Sequence, residues 1–523
     1  MARHTSTALT IPHSKLSLYR APLRVATVLP TYHKMAAPLA LVIAAFVVYF
    51  SSWTDQGIAE KLPEEPVLYV EDVVFLIRSQ QSSVHLKRAE KTKESIESQC
   101  RQLSQNSCDV LLIHSKYKQI GSWIILSILP RIAEDFPSKK WLFFCEEETK
   151  VNVAGLIHVL MKYDFSEPLF LGKALVDQVP SIIHHYKFHE DVSRFKFPDL
   201  EAGWVISQSL LQQTATRWKE EPADVNFSID IKHEVALFIW NDGNGQNLHN
   251  VQEFCADGSD LPQFYVEGKC VTQHPKHISE CGDPVSQKKV IFAVKTCHKF
   301  HNSRVKVVLD TWGHFAENVL YYSDVQDSSI PTVDIKIPNV ERGHCSKTLE
   351  ILKRFLEDEK QAEHDWLVVV DDDTILSVSR LLRLLSCYDA MEEVVLGERY
   401  GYGHGRMIGY DYVTGGGGMV FSRSAVSSFI DKGIKCSRHE DPDDMIIGMF
   451  AKSYQIPITH CPLFHQSQPQ QYALGFLKHQ TPISFHKHTN LDPYEVYQTW
   501  FYRDDEAARK HESLSREGLR DEL

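Results

Sequence analysis

The chain has 523 residues, of which 43% are hydrophobic and 24% charged, the balance of a globular protein rather than a disordered one. A formal net charge of −12 argues against a general nucleic-acid binder, which carries a basic surplus. The length exceeds what one hydrophobic core fills, so two large domains are expected.

Residues 1–54 contain no Asp or Glu but hold Arg3, Lys15, Arg20, Arg24 and Lys34, and include an apolar run from Ala36 to Phe50. That run is short of the ~20 residues that cross a bilayer. It fits either a cleaved signal peptide or a signal anchor of a type II membrane protein. Met35 directly precedes it, so translation could start at Met1 or Met35.

A first α/β pattern follows over 68–250, with an apolar strand at 73–77, a helix, and a second strand at 141–145 that ends in Glu146, Glu147 and Glu148. Asn226 opens an Asn-Phe-Ser sequon, an N-glycosylation acceptor in an exported protein. Residues 251–286 read as a linker carrying Cys255, Cys270 and Cys281. The pattern then recurs over 287–500, with a strand at 290–294 and another at 366–370 that ends in Asp371, Asp372 and Asp373.

The recurrence is an internal repeat. Trp141-Leu142 with its acids echoes Trp366-Leu367 with its own, and Leu171-Gly172 echoes Leu396-Gly397 at the same spacing. Gly203-Trp204 parallels Gly418-Met419, and His85 with Arg88 matches His301 with Arg304. Alternating strands and helices favour two copies of one mostly parallel α/β fold, with ligands at the carboxyl ends of the strands.

The remaining segment, 501–523, is a charged tail that ends in Arg520, Asp521, Glu522 and Leu523, a variant of the K-D-E-L retrieval signal. It implies a KDEL-type retrieval receptor and residence in the endoplasmic reticulum lumen. In that oxidising compartment eleven cysteines read as several disulfides plus at least one free thiol, not as a zinc site.

The chemistry concentrates in the second copy. Three adjacent carboxylates repel one another unless a cation neutralises them, and a hard divalent ion bridging to a diphosphate suits them. Helix capping by Asp373 at the start of a helix over 375–385 is the alternative. Gly415 to Gly418 let the backbone approach a ligand closely. Asp443 and Asp444 precede an apolar helix, so either could be a general base or a first-turn acid complementing the helix dipole. His465, His486 and His488 follow, any of which could complete a metal site.

In order, Ala293-Val294-Lys295-Thr296, His301-Asn302-Ser303-Arg304, Asp310-Thr311-Trp312, the Asp triplet, Thr414-Gly415-Gly416, Pro442-Asp443-Asp444 and Pro462-Leu463-Phe464-His465 resemble the inverting β-1,3-glycosyltransferases of the Fringe and core-1 type. The resemblance implies tandem GT-A (Rossmann-like) folds, the first degenerate, with Mn2+ or another divalent cation and a UDP-sugar donor. It implies donor contacts from Arg304, Lys295, Asp371, Gly415 and Gly416, metal ligation by Asp372 and Asp373, and Asp444, with Asp443 beside it, as the base. The family's metal histidine falls on Ser467 here, which passes that role to His465 or to a histidine of Ser484-Phe485-His486-Lys487-His488, preferably His486. With its degenerate first copy and terminal RDEL, the chain resembles the branch that extends O-linked fucose on thrombospondin type 1 repeats. That implies UDP-glucose as donor and O-fucosylated repeat proteins as partners, with no nucleic acid. A galactosyl- or N-acetylglucosaminyltransferase of the same fold, or a non-catalytic lumenal lectin, is the alternative.

Overall fold

The computed structural model describes residues 68–222, 226–257, 269–276, 278, 281–404 and 409–521, with side chains as far as residue 511. Met35, the apolar run 36–50, Glu522 and Leu523 lie outside the described residues, as do the side chains of Arg520 and Asp521. Among the described residues no helix is long and apolar enough to cross a membrane.

The first half builds β1 (Val73–Arg78), α1 (Ser83–Leu103), β2 (Asp109–Leu112), β3 (Trp141–Glu146), α2 (Val153–Leu160) and β4 (Phe170–Gly172). It continues through β5 (Trp204–Ser207), α3 (Gln208–Glu220), β6 (Phe227–Ser228), α4 (Ile231–Trp240) and β7 (His249–Asn250). The second half builds β8 (Val290–Lys295), α5 (Arg304–Asp310), β9 (Val319–Ser323), β10 (Thr332–Asp334), α6 (Cys345–Glu357), β11 (Trp366–Asp371), β12 (Thr374–Leu376) and α7 (Val378–Leu385). After these come β13 (Val395–Gly397), β14 (Arg399–Tyr402), β15 (Tyr410–Val413), β16 (Met419–Ser422), α8 (Arg423–Asp431), α9 (Asp443–Tyr454), β17 (Ile458–His460) and β18 (Ser484–His486). Helices α10 (Pro493–Trp500) and α11 (Tyr502–Asp521) close the chain.

One sheet runs β7-β4-β5-β3-β1-β2 and the other β10-β9-β8-β11-β16-β13-β17, so the second repeats the order of the first and adds β10 at one edge. Register repeats too. Val73 faces Trp141 as Val290 faces Trp366, and the paired strands end with Arg78 opposite Glu146 and Lys295 opposite Asp371. Caps repeat as well: Ser207 and Ser422 accept from the backbone N–H of Leu210 and Ala425 at the starts of α3 and α8.

Both sheets are mostly parallel, as expected, with one reversed strand in each. β5 and β16 run antiparallel to both neighbours. Each follows its preceding sheet strand without the crossover helix that a parallel return needs; before β16 the chain instead makes the antiparallel pair β14–β15. The segment after the Asp triplet also differs from a helix over 375–385. β12 intervenes, and Ser377, not Asp373, caps α7.

Most buried apolar side chains fall into three large clusters, beside a small one of Tyr400, Tyr410 and Tyr412. Phe75, Phe143 and Val205 belong to a cluster confined to the first half, and Ile291, Leu367 and Phe421 to one confined to the second. Between them a third cluster joins Val74, Leu142 and Trp204 to Val294, Val370 and Phe485. Residues Pro66–Leu523 accordingly form one compact unit, and β6 pairs with β14 across the halves.

The expected linker takes part in the fold. Its residues Thr272–Gln273 pair with Lys150–Val151, and disulfides join Cys255 to Cys270 and Cys281 to Cys387. Two further disulfides are Cys100–Cys108 and Cys345–Cys436, and Cys145, Cys297 and Cys461 are buried free thiols. Nor is the tail a loose extension at its start: Asp505 of α11 accepts from Ser377 Oγ at 2.7 Å and from the Ser379 N–H at 2.9 Å.

Candidate active site

β11 is buried from Trp366 through Val370, and its acids begin where the sheet ends. Asp371 and Asp373 share one side, and β18 brings His486 opposite Thr374. His486 Nε2 lies 3.1 Å from Asp373 and 3.6 Å from Asp371. Ligand atoms of the three residues all fall within 4.8 Å of one another. His486 Nδ1–H donates to the Gln466 carbonyl at 2.9 Å, which orients the ring and turns Nε2 toward the carboxylates. Burial opposes a charged imidazole here, yet Asp373 and Asp371 outweigh it and raise its pKa. A cation would satisfy the same carboxylates in the proton's place. Two carboxylates and one imidazole suit a divalent cation.

Gly416 makes this approach possible, because a Cβ there would stand 2.4 Å from the His486 ring. Thr374 Oγ1 fixes the same loop by donating to the Gly416 carbonyl at 2.8 Å.

Asp372 points elsewhere. It accepts from Thr296 Oγ1 at 2.8 Å and from Arg304 at 3.0 Å, and burial pushes its pKa up to about 6. The same Arg304 nitrogen reaches Asp373 at 3.0 Å. The cluster thus groups Asp371, Asp373 and His486, whereas the expected set contained Asp372 and not Asp371. His465 lies apart as well. It stacks on Phe485, 5.0 Å between ring centres, on the strand face opposite His486, and burial pushes its pKa down to about 3.

Lys295 is buried between two carboxylates, 3.1 Å from Asp371 and 2.6 Å from Asp443. Burial disfavours its charge, but both acids outweigh that and raise its pKa. Asp443 also accepts from Thr348 Oγ1 at 2.5 Å. It is thereby committed, and its neighbour Asp444 accepts from backbone N–H groups, those of Met445 at 2.7 Å and Gly415 at 3.4 Å. Burial, then the Asp443 charge, push the Asp444 pKa upward, in the direction a general base at neutral pH requires. Thr348 and Gln466 were not singled out from the sequence. Nothing marks Thr348 or Gln466 there, because each is set by a partner distant in the chain.

A Fringe-like family model matches residues 75–234 and 285–507, which include the second sheet and all of the first but its edge strand β7 and the start of β1. The chain belongs to the Fringe-like family. It is 48% identical over 452 residues to a β-1,3-glucosyltransferase of Homo sapiens, covering 86% of this chain and 89% of that one. The corresponding mouse protein is 46% identical over 461 residues, covering 88% and 92%. The human β-1,3-N-acetylglucosaminyltransferase lunatic fringe is 28% identical over 240 residues, 40% of this chain and 62% of that one.

Within this Fringe-like chain the first half keeps the framework of the site and changes its contents. Glu146, Glu147 and Glu148 stand for the aspartates, and Arg78 meets Glu146 at 2.7 Å as Lys295 meets Asp371. Arg88, the counterpart of Arg304, lies 3.4 Å from Glu148. Thr149 donates to the Glu201 carbonyl at 3.0 Å as Thr374 does to Gly416, so a glutamate occupies the place of the glycine. By strand register His274 takes the place of His486. Lys232, where the base motif would be, pairs with Asp230 at 3.0 Å. Asn226 of the sequon is exposed beside β6.

Proposed function

We propose that this chain is an inverting β-1,3-glucosyltransferase that moves glucose from UDP-glucose to O-linked fucose on thrombospondin type 1 repeats in the endoplasmic reticulum. The observation that carries the chemistry is the pair of adjacent glycines. Gly415 donates to Asp444, and Gly416 lies against His486. Consecutive residues of one loop therefore touch the base and the acid–histidine cluster, an arrangement that would bring an acceptor hydroxyl to a donor diphosphate. The identity to glucosyltransferases along nearly the whole chain supports glucose as the sugar, and the terminal RDEL supports retention in the lumen.

Asp371, Asp373 and His486 would hold a divalent cation, whose charge stabilises a departing UDP. Asp444 takes the proton of the acceptor hydroxyl as that oxygen attacks the anomeric carbon. Lys295 and Thr348 both engage Asp443 beside it, which leaves Asp444 as the carboxylate free to act as base. Arg304, part-exposed, offers its outer guanidinium edge to a phosphate while its inner edge orients Asp372 and Asp373.

The test is turnover by the whole chain with Mn2+, an O-fucosylated repeat and, in separate reactions, UDP-glucose, UDP-galactose and UDP-N-acetylglucosamine. The expected product is a β-1,3-linked glucose on fucose, read by NMR. Faster transfer of either other sugar would overturn the donor assignment, and an α-linked product would overturn inversion.

A further inference from the structure

The small sheet β15-β14-β6 takes strands from both halves, and its two faces differ. Gly401 and Asp411 lie on the inner face, where Asp411 accepts from Trp123 Nε1 of the first half at 2.9 Å. Side chains two apart on a strand share a face, as do residues directly opposite on paired strands. Tyr400 pairs with Tyr412, Tyr402 with Tyr410, and Phe227 with Tyr402, so all five rings belong to the outer face.

These rings form a track whose cover thins along its length. Ring centres lie 6.3 Å apart from Tyr412 to Tyr410, 5.6 Å from Tyr410 to Tyr402 and 5.0 Å from Tyr402 to Phe227. Helix α9 covers the first end, where a Cβ on Gly448 would stand 2.4 Å from Tyr412. That end adjoins the base, because Met445, the residue after Asp444, packs against Tyr400, Tyr410 and Tyr412. Those three are at most 9% exposed, whereas Tyr402 is 36% and Phe227 40% exposed.

Scattered apolar residues on a surface are ordinary, but adjoining exposed rings that continue a buried aromatic cluster mark a docking surface. The start of the track fixes the occupant. Asp444 receives the acceptor hydroxyl, so a surface continuous with it meets the rest of the acceptor. Three ring-to-ring steps reach further than one sugar ring, so the outer end meets the polypeptide that carries the glycan. Rigid aromatic side chains suit such a contact, and interfaces are enriched in them.

We propose that Tyr402 and Phe227 dock the folded polypeptide of the acceptor, so that the first half contributes to substrate selection without touching the reacting atoms. This rests on the reading of Asp444 as the base of a transferase that acts on a glycosylated protein. Binding energy gained at such a distance favours the protein acceptor over a free sugar.

Transfer from UDP-glucose by the whole chain is compared on methyl α-L-fucopyranoside and on a folded O-fucosylated thrombospondin repeat, and calorimetry without donor gives Kd for the repeat. Phe227→Ala and Tyr402→Ala should each raise KM and Kd for the repeat by about tenfold. KM for the small fucoside should rise far less, so the preference for the repeat falls. Phe227→Ala keeps the Asn-x-Ser sequon, so glycosylation at Asn226 does not enter the comparison. Met391→Ser, at a residue 82% exposed and outside this sheet, should change neither acceptor. If one ring variant loses its native Tm, the other decides. An unchanged Kd in both, or an equal rise of KM on both acceptors, would overturn the proposal. Failure of the unsubstituted chain to act on either acceptor would instead overturn the glucosyltransferase assignment, and the Kd comparison would still decide the docking.

Discussion

A single absent methyl group sets the position of His486. In Gly416→Ala the new carbon would fall 2.4 Å from the ring, and the bond from Nδ1 to Gln466 limits its retreat. The variant is expected to fold, with apparent Mn2+ affinity lower by about 10- to 100-fold, as for other disturbances of ligand orientation. A Mn2+ titration of activity checks this, and an unchanged titration would remove His486 from the ligand set. Asp444 provides a second prediction. A base works only when deprotonated, and burial with Asp443 raises its pKa. Activity should therefore fall with acidification at a pH above the value of about 4 typical of a free carboxyl. Asp444→Asn should remove this limb and lower kcat by about 10²- to 10⁴-fold. A full acid limb surviving in that variant would place the base elsewhere. At this scale the acids and glycines were legible, because charge after an apolar strand is visible in one dimension. Which two aspartates face the histidine was not, because that depends on β12 pairing with a strand far along the chain.

Among the elements, α6 and α9 are joined by more than packing. Cys345 begins α6, whose Thr348 bonds Asp443 at the start of α9, and the disulfide to Cys436 ties α6 to the segment leading into that helix. Replacing both cysteines with serine should lower stability by up to about 4–5 kcal/mol, the constraint expected for a loop of this size. It should also reduce kcat more than it raises KM for the donor. Thermal unfolding and steady-state kinetics of the double variant measure both, and a kcat loss without a Tm loss would contradict the first part. The elements show where pattern reading stops. Strands such as β8 and β11 announced themselves by apolar runs, yet the direction of β16 depends on what connects it, which hydrophobicity does not encode. For the same reason 251–286 read as a linker, although its cysteines and a short strand fasten it to both halves.

Across the whole molecule, the shared apolar cluster makes the halves one cooperative body. Thermal unfolding should be a single transition, with circular dichroism and loss of activity coinciding. Two separated transitions would show that the halves fold alone. Glu146, Glu147 and Glu148 changed together to Gln should lower Tm, because Arg78 and Arg88 lose their charge partners in a largely buried setting. Transfer to a small fucoside, measured below that Tm, should persist, and its loss would implicate the first half in the reaction. The repeat itself was legible, since both copies keep their motifs in order. That they share a core was not, because β1 and β3 are apolar on both faces and neither face is marked as the one that meets a partner. The shared cluster also bears on heredity. Phe144 and Trp204 stack 4.2 Å apart in the half that carries glutamates for aspartates, inside the cluster that also packs β8 and β11. A substitution at either would loosen the packing beneath β8 and β11, so an inherited lesion in this half would register as a disturbance of the other.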